Sequence, residues 1–518
     1  MIAADVAAGR GGRRRPPRPV YSSACVRSQP DAHATPPGER WPTPRWWRAA
    51  GGGLILIYAA GFNGRWRITA DSAGIVNQAR RLRGEADALL AADPRTPPGL
   101  ASCVAALGGT PGVATGLMML GFAAAALVLT HRVLRVNHGP RLAAAATLLL
   151  ATNRHFYETA FGLLTELPFT VGLLLLLWGH ERRVGPRSDG RSAATAWGLI
   201  GLGVVWMLAF RSVGAVVVAG FGIAELIRMV ATSPVKPGRG RGRALALAVG
   251  LVVAVAGGLL VPAVRLDAVI LLNSLTEITP AGLWINLSQL MTESLPEAVF
   301  GQDVPPALAW PLSAGVVAGG LWLLRVRLLW GVLFVAFVAQ WLVFLNDTRY
   351  VLPVLPVLLV GGGRLVWDAT RRWPRGARLA ARRTAVGLLV ASNLVGIGFV
   401  VVEQRTGETF YAAYRSGKYA AAVELAEVLR RGSPTDAVLL ADRPMWAELA
   451  ALSRRAVIDR PTRFPADAER WWLRPYDGEP LRSPVGPAVA ETRDLRSGEP
   501  WSLHRLGAAE AEPAEGLR

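Results

Sequence analysis

Five ionisable residues stand inside or at the edges of long apolar runs: Asp71, Glu158, Glu166, Arg211 and Arg349. A charge in such surroundings is costly unless it is paired or hydrated, so its presence points to function. Glu166 lies in FYETAFGLLTELPFTVGLLLLLWG beside Pro168, about two turns into the run, and Glu158 stands at the head with His155 and Tyr157. A proline inside a helix frees a backbone carbonyl and can kink the axis. A carboxylate beside such a kink can hold a partner arginine or bind a substrate hydroxyl. A structural ion pair between helices is the plainer alternative. Arg211 (LAFRSVGA) and Arg349 (NDTRYVLPVLP, followed by Tyr350) close the ends of their runs. A guanidinium there suits a phosphate or diphosphate, because its fork donates two parallel hydrogen bonds. The alternative is an arginine that snorkels to anchor its helix at an interface. Asp71, in ITADSAGIVNQARRLRG, stands where a helix should begin, with Asp71 or Ser72 as its N-cap.

The elements that carry these residues are membrane helices. Of 518 residues, 52% are hydrophobic, and the mean hydropathy is +0.31. The apolar residues cluster in runs, which is a membrane signature and not the pattern of a soluble core. Charged residues make up only 18%, yet the formal net charge is +20. In a soluble chain that excess would suggest nucleic acid. Here most arginines sit in short segments between apolar runs, so a nucleic-acid partner is not expected. Candidate spans cover 48–64, 110–131, 140–153, 159–180, 193–210, 213–228, 244–264, 308–325, 328–345, 350–367 and 384–402. Several approach the ~20 residues a helix needs to cross hydrocarbon.

Arginine and lysine set the expected orientation. With the N-terminus inside, the inner connections 132–141, 181–192, 228–243, 325–327 and 364–383 are all basic. Most outer connections carry a single arginine. The exception is the first outer loop, 65–109, whose arginines are partly offset by Asp71, Glu85, Asp87 and Asp93 and suit interfacial helices. Asp71, Glu158, Arg211 and Arg349 then all fall on the outer surface. The expected fold class is an all-α integral membrane protein with about eleven spans, interfacial helices in the first outer loop and a small α/β C-terminal domain.

Three regions follow: a basic, disordered cytoplasmic tail (1–47), a polytopic domain (48–402) and an extracytoplasmic soluble domain (403–518). In the last, 409–431 has helical spacing, 437–441 and 456–458 read as short strands, and 444–452 as a helix. A polar, flexible end is expected past about 490. The tail lacks the apolar core of a cleavable signal. Cys25 and Cys103 are expected on opposite sides, so no disulfide is expected, and they have no metal-ligand spacing.

The order of these features is familiar. An aspartate just after the first span, a following TPPG, the acidic LTELPF helix, an arginine closing a short hairpin and RYVLPVLPVLLV in a late span resemble the glycosyltransferase C superfamily. The likeness is to polytopic enzymes similar to protein mannosyltransferases and lipid A aminoarabinose transferases, and it covers about residues 48–402. It implies a bundle of membrane helices with its active site on the outer face of the plasma membrane. The implied donor is a sugar on a polyprenyl phosphate, and the implied acceptor is a glycan, lipid or protein of the cell envelope. By resemblance Asp71 is the general base, and Arg211 and Arg349 contact the lipid phosphate. Glu158 and Glu166 both lie where a second acidic motif belongs. Tyr157, His155 and Tyr350 are further candidate substrate contacts. No cofactor is implied, although some members of the superfamily use a divalent ion. The chain departs from many relatives, which carry paired acids or an aromatic near the first aspartate, where this one has Asp71-Ser72-Ala73-Gly74. That difference bears on the acceptor or on catalytic strength. Two other classes compete: a transporter or flippase of a polar lipid, and a non-catalytic scaffold that presents 403–518. Transporters often show two similar halves, and no such symmetry is visible here.

Overall fold

The computed structural model describes residues 44–62, 69–85, 97–184, 190–232, 279–343, 348–406, 417–433, 437–441, 453, 456–458, 470–475, 488–493 and 500–506. The chain divides into two compact units, Met1–Ala49 and Ala50–Arg518. Of the first, the described residues are the helical run 44–49. The second holds everything that follows. Of the expected disordered tail 1–47, residues 1–43 lie outside the described residues and 44–47 are helical, the start of a helix that runs on into the first apolar run. The span 244–264 and the helix near 444–452 also lie outside them, except Ser453 just beyond it.

Helix α1 (Pro44–Gly61) is followed by two short helices, α2 (Ala70–Leu82) and α3 (Gly99–Ala106). Helix α4 (Val113–Ala151) is interrupted at Gly139, whose φ of 80° only glycine adopts freely, and Pro140 follows it. Helices α5 (Arg154–Phe161) and α6 (Glu166–Val184) meet at a bend of 115°. Then come α7 (Gly190–Phe210), α8 (Gly214–Thr232) and α9 (Pro280–Gln289). A π-helical turn, Leu290–Ser294, leads into α10 (Leu295–Phe300). Helices α11 (Pro306–Val326) and α12 (Leu328–Val343) precede a 3₁₀ turn, Thr348–Val354, which runs directly into α13 (Leu355–Ala369). Helix α14 (Arg375–Thr406) closes this series.

Helix thus occurs at every expected apolar run outside 244–264. Among the described residues, five helices are long and apolar enough to cross a membrane, or six if the bent α5–α6 pair is one span. Gly51–Gly61, Leu142–Ala151 and Leu328–Val343 are apolar but shorter.

Small residues let these helices touch. A Cβ on Gly203 of α7 would stand 2.7 Å from the carbonyl oxygen of Gly172 on α6. A Cβ on Gly319 of α11 would stand 2.7 Å from the carbonyl carbon of Gly361 on α13. Close backbone approach of this kind holds helices together where lipid supplies no hydrophobic drive. Among the described residues a large continuous core results, with Trp330, Phe156, Phe169 and Phe334 among its largest fully buried side chains, and a smaller cluster gathers Tyr157, Ile397 and Val400.

Charges at the far end of α6 are also paired. Glu225 of α8 is buried and contacts Arg183, His180 (3.0 Å) and Arg228 (2.8 Å). Glu181 accepts a 2.8 Å bond from Trp330 Nε1. These groups lie about 20 Å along α6 from its first residue, at 1.5 Å per residue.

Farther along, α15 (Gly417–Gly432) accompanies a five-stranded sheet of order β2-β1-β3-β5-β4. Strands β1 (Val438–Ala441), β2 (Ala456–Ile458) and β3 (Arg470–Pro475) are mutually parallel where paired. Strand β5 (Pro500–Leu506) pairs antiparallel with β3, and β4 (Ala488–Arg493) pairs antiparallel with β5 at the edge. The stretch past about 490, read from its polarity as a flexible end, therefore contains strand. Its sequence PWSLHRL pairs residue by residue with β3, which its polar content conceals.

Candidate active site

Helix α2 begins with a reciprocal cap. The Ser72 N–H donates to Thr69 Oγ1 (3.1 Å), and the Thr69 N–H donates to Ser72 Oγ (2.8 Å). The N-cap is therefore Thr69, not Asp71 or Ser72 as the sequence suggests. Thr69 has extended backbone angles and a hydroxyl that reaches the third helical residue, which is what the role demands. Asp71 is thereby spared from capping. Ser72, Ala73, Ile75, Val76 and Ala79 bury one side of α2, and the Asp71 side chain remains half exposed.

The Asp71 carboxylate accepts a hydrogen bond from Arg349 in the 3₁₀ turn. Arg349 also donates to the Tyr350 hydroxyl (3.2 Å), and its guanidinium carbon lies 5.0 Å from the Tyr350 ring centroid. A second guanidinium, Arg211, lies 4.8 Å from that same centroid. Arg211 occupies the turn between α7 and α8 and donates to Glu166 Oε1 (2.8 Å). Asp71, Arg349, Tyr350, Arg211 and Glu166 thus form one connected line. Two arginines face one aromatic ring, which attracts both through its quadrupole, and each has its own carboxylate.

Glu166 does not lie two turns inside a span, and the kink is not at Pro168. The helix breaks earlier, between Phe161 and Glu166, where Gly162 is extended. Glu166 is the first residue of α6, and Pro168 stands in its first turn, where a missing N–H breaks no helical bond. The Pro168 carbonyl accepts from Trp206 Nε1 at 2.9 Å, which fastens α7 to the start of α6. Glu166 is buried, and its Oε2 has no hydrogen-bond partner among the described residues.

Glu158 belongs to a second cluster. Its carboxylate accepts from Arg154 Nε (2.7 Å) and lies 3.3 Å from His155 Nδ1. The other ring nitrogen of His155 is 3.5 Å from Glu297 of α10, and Glu297 accepts from Thr348 Oγ1 at 2.7 Å. Asn153 caps α5 and, with Asn393 of α14, ties the start of α5 to the carbonyls of Ala298 and Val299. The 3₁₀ turn therefore joins the two clusters, with Thr348 in one and Arg349 in the other.

Tyr157 joins neither. It is fully buried, donates its hydroxyl to the Ile57 carbonyl (3.0 Å) and packs edge-on against Tyr58. At 100° per residue, position 157 points away from the face shared by His155 and Glu158. Thr348, Glu297, Arg154, Asn153 and Asn393 did not stand out in the sequence. The chain distances that separate them conceal the contacts, although Thr348 adjoins Arg349 in NDTRYVLP. Among the described residues no three His, Cys, Asp or Glu side chains are grouped to hold a metal ion.

No protein-family model and no curated protein matches the chain. Solved structures do. ArnT from Cupriavidus metallidurans in the apo state aligns over 90% of this chain and 99% of its own, at 13% identity and a TM-score of 0.56. The same protein bound to undecaprenyl phosphate aligns over 91% and 100%, also at 13% identity and a TM-score of 0.56. The apo oligosaccharyltransferase of Archaeoglobus fulgidus aligns over 84% of this chain and 70% of its own, at 11% identity and a TM-score of 0.50. The chain shares the fold of these structures. In this fold, the two clusters are assembled from the start of α2, the α5–α6 break, the α7–α8 turn, α10 and the 3₁₀ turn before α13.

Proposed function

We propose that this chain is a multi-pass membrane glycosyltransferase. It moves a sugar from a polyprenyl-phosphate carrier to a hydroxyl-bearing acceptor of the cell envelope. The observation that carries this reading is the convergence of Arg211 and Arg349 over Tyr350, with Asp71 at the open end. The fold supports it, because a structure of the same fold holds undecaprenyl phosphate.

In this proposal the acceptor oxygen attacks the anomeric carbon while Asp71 takes the hydroxyl proton, a general-base role. The new C–O bond forms as the bond from the anomeric carbon to the phosphate oxygen breaks, and a single displacement inverts the anomeric centre. The electron pair leaves on the phosphate, and Arg211 and Arg349 stabilise the growing charge with preorganised donors. Glu166 holds Arg211 in place, while His155 and Glu158 face the sugar side. In this proposal the N-terminus is cytoplasmic and the site and residues 403–518 lie on the outer side of the plasma membrane, an orientation that the basic connections 132–141, 181–192, 228–243, 325–327 and 364–383 support.

The test is transfer of label from radiolabelled polyprenyl-phosphate sugars to an acceptor in membranes that contain the protein. Asp71→Asn should abolish transfer while expression and folding stay intact, and an active variant removes the base assignment. Movement of the lipid across the bilayer without bond cleavage would favour a flippase.

A further inference from the structure

We infer that the Asp71–Arg349 ion pair is a latch that the donor phosphate opens, so that phosphate binding and release of the base are one event. The inference rests on the function proposed above and concerns the regulation of the same site.

The two carboxylate–guanidinium pairs differ in how readily they part. Asp71 is 51% exposed and Arg349 18%, whereas Glu166 is 3% exposed and Arg211 19%. Asp71 can therefore swing into water with little loss, while Glu166 cannot leave Arg211 without stranding a buried charge. Arg349 is held from a second side by the Tyr350 hydroxyl and ring, so Asp71 is the mobile partner. The donor phosphodiester carries one negative charge on two unesterified oxygens, so it meets the guanidinium fork as a carboxylate does and can take the place of the exposed Asp71. As long as Asp71 Oδ2 is on Arg349, neither group is turned to a substrate. When the phosphate takes Arg349, the freed carboxylate is left beside the reacting centre. The donor then binds before the acceptor can be activated, and an empty site holds its base out of use.

The experiment measures the affinity of the purified full-length chain in nanodiscs for a short-chain polyprenyl phosphate. The variants are Asp71→Asn, Asp71→Ser, Arg349→Gln and Arg211→Gln, each checked for folding by thermal melting. Both Asp71 variants remove the competing carboxylate and should bind roughly two- to fivefold more tightly than the unaltered chain, the scale of one exposed ion pair. Arg349→Gln should bind more weakly. Unchanged or weaker binding by the Asp71 variants overturns the latch and leaves the phosphate assignment standing. If Arg349→Gln and Arg211→Gln both bind like the unaltered chain, the phosphate assignment fails and the latch fails with it.

Discussion

Thr348 and Arg349 are neighbours in the chain but serve different clusters, Thr348 through Glu297 (2.7 Å) and Arg349 through Asp71. A 3₁₀ turn makes this division feasible, because consecutive side chains diverge by about 120°. The hydroxyl of Thr348 therefore anchors the turn that aims Arg349. Thr348→Val keeps the shape and deletes the donor, so Arg349 should drift. Misplacement by about 1 Å can cost on the order of 100-fold in rate. The expected result is a loss of transfer carried mostly by KM for the donor, with Thr348→Ser close to the unaltered chain. A uniform loss of folded protein in place of this split would reduce Thr348 to a structural role.

Glu166 and Arg211 form the more buried of the two pairs. Removing one partner of a buried pair leaves the other charge without compensation, and about 3 kcal/mol of stability is at stake. Glu166→Gln should lower the melting temperature in detergent, and so should Arg211→Gln. The double variant should melt above either single one, because no lone charge remains. Additive losses would show that the pair contributes little.

Two backbones meet where Gly319 of α11 faces Gly361 of α13, and α13 continues directly from the 3₁₀ turn that carries Arg349. Gly319→Val places atoms where the Gly361 backbone stands. Overpacking of this kind costs about 1–3 kcal/mol. Because α13 would shift with its turn, donor binding should weaken along with the melting temperature. Gly398→Val of α14, with nothing within 4 Å of an added Cβ, is the matched control and should leave binding unchanged.

Much of the architecture can be read from the sequence, because membrane helices must be apolar and their inner connections basic. Asp71, Glu166, Arg211 and Arg349 are legible for the converse reason, since charge beside an apolar run demands a partner. The pairings are not legible. Arg211 lies 45 residues from Glu166, and Arg349 lies 278 from Asp71, distances at which side-chain period says nothing. Pro168 attracts attention as a kink, yet a proline in a first turn breaks no bond, and the bend falls at Gly162. Glu297 follows a π-helical turn, whose fifth-residue bonding leaves no mark in the hydrophobic pattern.

The cap of α2 links local structure to the base. Thr69 and Ser72 bond each other's backbone N–H groups, and Asp71 stands between them with its carboxylate directed elsewhere. Thr69→Ala deletes the acceptor for the Ser72 N–H, and such a loss typically costs about 1 kcal/mol. With the hydroxyl gone, Asp71 becomes the nearest residue able to cap, and its carboxylate should turn toward the freed N–H groups and away from Arg349. Transfer should then fall further than the small drop in stability explains. Thr69→Ser restores the acceptor and should restore both. Thr69→Asp supplies a carboxylate cap and should also recover activity, because Asp71 is again excused from capping. If Thr69→Ala lowers the melting temperature but leaves kcat at the unaltered value, the cap does not govern where Asp71 points.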